Sequence, residues 1–344
     1  MSKKTILKNT VMNLYPAYVK KIIFNQLKET SDFNFNFKTP DEIFNLLLNY
    51  NKTLSAVEMY DYQKPFRHFC YFKYSNLNEQ KIKMLIEQGK IIIFNPKFEK
   101  PVDEFDITTS KPTIYQLENQ IFFKFSYLLN DKINDKSIKY PVLAVFDKIN
   151  NWLEIRFDRI GLAYKNSPIF YKEKIDGVLE YFSRNFELEI THIDFKAVVE
   201  YMISNKTDIT FMAKKMLRNG TMAHLEAYED EETSLPIIGE LEKLLEENKI
   251  LFEKNSDTQK ILNLLENFLT AIEIKSDLPV VKIKLNDTET KFGITHNYKG
   301  AEYSLFMLYG ELIGGEMMDN VKNYVMQCCR EFDTKISSDA VPEK

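Results

Sequence analysis

Apolar positions recur along this chain with two different periods, and the period changes from segment to segment. Over residues 9–29, Val11, Leu14, Val19, Ile22, Ile23 and Leu27 recur at helical spacing, with Pro16 marking a start or a kink. Thr39-Pro40-Asp41-Glu42 is a capping box with proline at the first helical position. Phe44, Leu46, Leu47 and Leu48 follow it and predict a heavily buried helix. Phe66 to Tyr74 is rich in aromatics and predicts a strand. A helix is expected from about Asn76, closed by Gly89. Lys90 to Phe94 reads as the next strand and stops at Asn95-Pro96. Strand, helix, strand is the order of an α/β or α+β unit.

The stretch from Phe98 to Gln116 has prolines nearby and mixed polarity, which predicts a long surface loop. Gln120–Leu128, Val142–Asp147 and Asn151–Asp158 read as strands. In the last, Leu153, Ile155 and Phe157 alternate with Trp152, Glu154, Arg156 and Asp158. Lys148-Ile149-Asn150 is short enough to make a hairpin. From about residue 172 the helical period dominates. Helices are expected over 172–185, 195–204 and 208–218, the last ending at Asn219-Gly220, with a strand at 188–193. Residues 226–234 read as an acidic linker. Two amphipathic helices follow at 236–252 and 257–270, then strands at 271–275, 280–285 and 291–295. A helix pair over 300–334, broken near Gly314-Gly315, closes the pattern. The expected fold class is α+β. An N-terminal lobe, 1–165, carries a mostly antiparallel sheet and helices, and a mainly helical lobe, 166–344, carries a few short strands.

A length of 344 residues fits two domains of roughly 100–200 residues each. An apolar fraction of 44% is enough to build a core and excludes disorder along the whole chain. Charge is unevenly spread. Residues 1–224 carry 33 Lys and Arg against 26 Asp and Glu, and residues 225–344 carry 13 against 24. The basic first part and acidic second part point to two lobes with different partners, although drift in a long charged chain gives the same picture. The three cysteines are Cys70, Cys328 and Cys329, an odd number with two adjacent, so no disulfide framework is implied. A reducing cytosol is expected. No apolar run is long enough to span a bilayer, and the first residues lack a signal core. Frequent Lys, Asn, Ile, Phe and Tyr fit an AT-rich bacterial or phage genome.

The best carboxylate cluster is on the expected hairpin. Glu154, Arg156 and Asp158 share one sheet face by alternation, and Asp147 ends the preceding strand. Paired carboxylates bind Mg²⁺ and organise phosphodiester cleavage, with a nearby base steadying the developing phosphate charge. The simpler account is a strand that is apolar inside and charged on its wet face. Weaker echoes occur at Glu273-Ile274-Lys275 after Asp257, and at Asp194-Phe195-Lys196 after Glu187 and Glu189. His68 and Cys70 share a strand face, which permits a Cys–His couple. His68, His192, His224 and His296 show no zinc spacing, and no phosphate-binding glycine loop or nucleophile elbow occurs. No cofactor is expected, and Mg²⁺ enters only with a nuclease.

Basic residues beside aromatics are the nucleic-acid signal. Lys20, Lys21, Lys64 and Arg67 fit it, as do Lys214, Lys215 and Arg218, which share a face if 208–218 is helical. The leading expectation is therefore a cytosolic bacterial or phage interaction protein, one component of an assembly, with phage–host conflict as one setting. Its basic lobe would meet nucleic acid, and its acidic lobe a protein partner or a second copy of the chain. The alternative is a metal-dependent nuclease using Asp147, Glu154, Arg156 and Asp158.

Overall fold

The computed structural model describes residues 2–14, 39, 42, 44–45, 51–96, 111–131, 133–218, 221–226, 236–274, 277–312 and 314–339. The chain divides into two compact units. The first is Met1–Ile193 with Leu312–Glu316, and the second is Asp194–Glu311 with Met317–Lys344.

The first unit contains α1 (Lys3–Leu14), α2 (Asn51–Gln63), β1 (His68–Ser75), α3 (Glu79–Glu87), β2 (Ile92–Ile93) and β3 (Thr113–Gln116). It continues with β4 (Gln120–Asp131), β5 (Lys136–Asp147), β6 (Trp152–Phe157), α4 (Phe170–Phe186) and β7 (Glu189–Thr191). Its strands run in the order β2-β3-β4-β5-β6-β1, and β7 also pairs with β1. The pairing of β2 with β3 is parallel, which makes the sheet mixed, and the remaining pairings here are antiparallel. Helix α3 is set by local chemistry. Asn78 caps it by accepting from the backbone N–H of Gln80 and Lys81, and Gly89 ends it at φ +65°, where a side chain would be strained. The reciprocal bonds of the Thr39–Glu42 capping box are also present.

The two faces of this sheet differ. On one, Phe123, Phe125, Phe146 and Phe157 meet the apolar stripe of α4, with Phe182 at 4.8 Å from Phe146 and 5.1 Å from Phe123 between ring centroids. Edge-to-face ring pairs of this kind add about 0.5–1.5 kcal/mol each beyond the area they bury. The other face carries charge and is nevertheless closed. All six residues of β6 are buried, so the expected wet face for Glu154 and Arg156 is not there.

The second unit contains α5 (Phe195–Asn205), β8 (Ile209–Arg218), β9 (Thr221–Glu226), α6 (Pro236–Glu247), α7 (Lys249–Phe252) and α8 (Ser256–Ile274). It ends with β10 (Asp277–Leu285), β11 (Lys291–Thr295), β12 (Leu305–Leu308) and α9 (Glu316–Asp339), which belongs to it from Met317 on. Five strands run in the order β12-β11-β10-β8-β9, every neighbour antiparallel. Val281, Ile283, Ile294 and Phe306 on one face are buried, and Phe195 of α5 packs on Phe306 at 4.9 Å.

The expected fold class is overturned by these strands. Among the described residues seven strands lie in the first unit and five in the second, and those five form a continuous antiparallel ladder, so the second unit is built on a sheet and is not a helical lobe with a few short strands. The misreading has a local cause. Residues 208–218 have apolar positions compatible with helical spacing, but Ile209, Thr210 and Phe211 favour a strand, and β10 and β9 pair with the segment on its two sides. Residues 271–274 of the expected strand at 271–275 are instead the end of α8, and the expected helix pair over 300–334 is β12 followed by one long helix. Residues 15–38, most of the 98–116 loop and most of the acidic linker lie outside the described residues.

Candidate functional site

The charged face of the first sheet is built from α2 downward. Glu58, Asp61 and Tyr62 lie within one turn and share a helix face. Lys124 of β4 and Lys139 of β5 project from the sheet face beneath, since Lys124 pairs with Leu143 and Lys139 lies four residues before it. Glu58 accepts from both lysines, one on each carboxylate oxygen. Asp61 lies 3.5 Å from Lys124 and 3.7 Å from Lys139. Lys124 also faces the Tyr62 ring at 4.5 Å, and the Tyr62 hydroxyl bonds Thr113 at 2.7 Å. The same face continues with Lys64 on Asp158, whose second oxygen accepts from the Arg67 N–H at 3.4 Å, and with Arg156 on Glu154 at 2.6 Å.

Lys64, Lys124, Lys139 and Arg156 thus balance Glu58, Asp61, Glu154 and Asp158, and all eight are buried. Burial raises the Glu58 carboxyl, but the two lysine charges and their hydrogen bonds outweigh it and hold it down at about 2. Glu58 is therefore ionised at any pH near neutrality and is not a proton donor there. His68 lies on the aromatic face, stacked on Phe157 and Tyr171 at 5.6 and 5.2 Å. Burial, then the charges of Arg67, Lys165 and Arg159, lower it to about 3, so it is neutral at physiological pH. The Cys70 thiol is pushed up by burial, which leaves no activated Cys–His couple.

The residues singled out from sequence are placed as follows. Asp147 closes the β5–β6 turn, accepting from the N–H groups of Ile149 and Asn150 and from the Asn150 side chain at 3.0–3.1 Å. Glu154 and Asp158 each carry a basic partner, and the unbonded Glu154 Oε1 is buried. Asp194 caps α5, and Asp257 pairs with Lys260. Among the described residues no group of three or more His, Cys, Asp or Glu side chains is placed to hold a metal ion. Lys64 is buried against Asp158, and Arg67 is half-buried. Lys214 and Lys215 are neighbours on a strand and point to opposite faces, which removes the shared helical face. Lys20, Lys21 and the Arg218 side chain lie outside the described residues.

A second constellation was missed in the sequence. Helices α6 and α8 form a hairpin whose seam is Leu245, Leu262 and Leu269, with Leu241, Phe252 and Leu265 against it. The residue just before an inward leucine is apolar four times over: Leu244, Ile261, Leu264 and Phe268. All four are at least half exposed, Leu264 at 69%. Stepping back one position turns by about 100° in the same sense on both helices, and on antiparallel helices that lands on one side of the hairpin. The residues just after Leu245, Leu262 and Leu265 are Glu246, Asn263 and Glu266, all exposed, so the opposite side is polar. The apolar doublets at 244–245, 261–262, 264–265 and 268–269 are the signal that could have revealed two-sided helices.

No protein-family model matches the chain, and no curated protein is similar to it in sequence. No helix among the described residues is long and apolar enough to cross a membrane.

Proposed function

We propose that this chain is an interaction protein, a component of an assembly, that pairs with a second copy of itself through the α6–α8 hairpin. The observation that carries the reading is the exposed face of Leu244, Ile261, Leu264 and Phe268 on a hairpin whose seam is already filled. Side chains of this size gathered on one face mark an interaction surface rather than scattered surface apolarity. Charge favours a like partner. Lys243 beside Glu247 at 3.9 Å flanks Leu244, and Asp257 and Lys260, 3.3 Å apart, stand one turn before Ile261 and Leu264 respectively, so each helix offers both signs at the apolar face. A two-fold contact sets such an edge against its own complement. The acidic residues Glu246 and Glu266 lie on the far side, where they do not oppose the pairing. Two hairpins face to face make a four-helix bundle.

Light scattering on the full chain at tens of micromolar tests this. A dimer that becomes a monomer in Leu264→Asp/Phe268→Asp, with unchanged circular dichroism, supports it. A wild-type monomer, or a dimer indifferent to the double substitution, overturns it.

A further inference from the structure

The second unit is acidic in sequence, yet one face of its sheet is lined with lysine. In the β10 ladder Lys282 lies opposite Ala213 and Gly293, Lys284 lies opposite Thr210 and Lys291, and Val280 lies opposite Lys215. Side chains alternate along a strand, so Lys215, Lys282, Lys284 and Lys291 all project from the face opposite Val281 and Ile283. Lys282 and Lys284 are about 6.6 Å apart along the strand, and Lys291 stands one strand spacing from Lys284, about 4.8 Å away. Two acids that reach these lysines are at the rim. Glu226 meets Lys282 at 3.2 Å and Glu289 meets Lys284 at 2.9 Å, and both glutamates are more than half exposed. Lys284 is itself buried and stays with Glu289, whereas the half-buried Lys282 is held weakly by its exposed glutamate, so a phosphate can exchange with that carboxylate.

An aromatic ring lies among these cations. Tyr309 is half-buried, and its ring rests on Gly293, where a Cβ would come within 2.8 Å of Cε2. Lys282 Nζ is 4.8 Å from the ring centroid. Gly293 is thus what allows the ring to lie down on the sheet. Cations spaced along a flat surface with a ring among them suit a strand whose bases are unstacked. A duplex keeps its bases stacked and presents only phosphate ridges to such a surface.

We infer that the lysine-lined face of β8, β10 and β11 binds single-stranded nucleic acid, with Lys215, Lys282 and Lys291 on phosphates and Tyr309 against a base. This does not depend on pairing through the hairpin, and it moves nucleic-acid contact away from the lysines near the N-terminus.

The test is fluorescence anisotropy of the full chain with labelled 20-mer oligo(dT) and oligo(U), from low to moderate salt. Three lysine contacts on a single strand predict a slope of about −2.1 in log K against log salt. Lys215→Gln/Lys291→Gln should lower its magnitude to about 0.7, and Lys20→Gln/Lys21→Gln should leave it unchanged. Acetylation of the wild-type protein with and without oligonucleotide, read by mass spectrometry, needs no variant and should show protection at Lys215, Lys282 and Lys291. Binding to either oligonucleotide with these signatures supports the site and shows whether it prefers DNA or RNA. Absence of binding at low salt, a slope unmoved by Lys215→Gln/Lys291→Gln, or protection elsewhere overturns it.

Discussion

The first unit hides charge and the hairpin of the second displays apolar side chains. Under α2 and beside it, eight acidic and basic side chains are buried on one sheet face. On the α6–α8 hairpin, two leucines, an isoleucine and a phenylalanine face outward on one side. The usual sorting is reversed in both places, and the energetic consequences differ. Buried charges are tolerable only while every partner is present, because the desolvation of each ion is offset by its neighbours. Exposed apolar groups do little harm to the fold that carries them, and their free energy is released only when something covers them. One region is therefore sensitive to what is removed from it, and the other to what is added beside it.

The contrast is tested most severely at Glu58. Glu58→Ala leaves Lys124 and Lys139 facing each other in the interior with Asp61 as the one remaining acid beside both among the described residues, and about 3–5 kcal/mol of stability should be lost. Urea unfolding followed by the fluorescence of Trp152, the single tryptophan, reads this in the first unit. A loss below about 1 kcal/mol would mean that water reaches the layer.

The hairpin gives the next largest effect, and it should depend on a one-residue step. Leu262→Ala removes a seam leucine that is 2% exposed and should cost about 2 kcal/mol or more. Leu264→Ala should stay within about 0.5 kcal/mol in dilute solution. Equal effects would erase the distinction between the seam and the outer face.

The smallest step, taken per pH unit, is in pH. The folded value of His68, about 3, is below the ordinary 6.5, so its contribution is complete above pH 6.5 and is lost as pH falls toward 3. Glu58, at about 2 against an ordinary 4.5, contributes fully above 4.5 and fails only on the way down to 2. Between pH 6.5 and 4.5 the first unit should therefore weaken by about 1.4 kcal/mol per pH unit through His68, while Glu58 still holds. His68→Phe should flatten that slope. An unchanged slope would assign the acid sensitivity elsewhere.

Local rules carried the sequence reading well. The capping box at Thr39, the closure of α3 at Gly89, the β5–β6 hairpin and the amphipathic pair at α6 and α8 all depend on neighbours within a few residues. What escaped depends on distance along the chain. Lys124 and Lys139 look like ordinary strand lysines until Glu58, more than 60 residues earlier, is laid over them. The uninterrupted burial of β6 has the same origin, since alternation reports one wet face only if nothing covers it. β8 was misread because Asn219-Gly220 fits a helix end as well as the link to β9, and its other partner, β10, comes some 60 residues later. The lysine face was hidden for the same reason. Its four members come from three strands, inside a stretch whose total charge is acidic.

The ion pairs under α2 also act as an address. Along that helix and just beyond it, Glu58, Asp61 and Lys64 follow at three-residue steps with signs minus, minus, plus, and the groups beneath are plus, plus, minus. A helix that docked about one turn out of place would bring Lys64 toward Lys124 and Lys139, like against like in a dry interior. Oily side chains alone would accept such a slip with a modest loss of fit. Charges in this order reject it, so the helix has one berth and near misses are returned to solution.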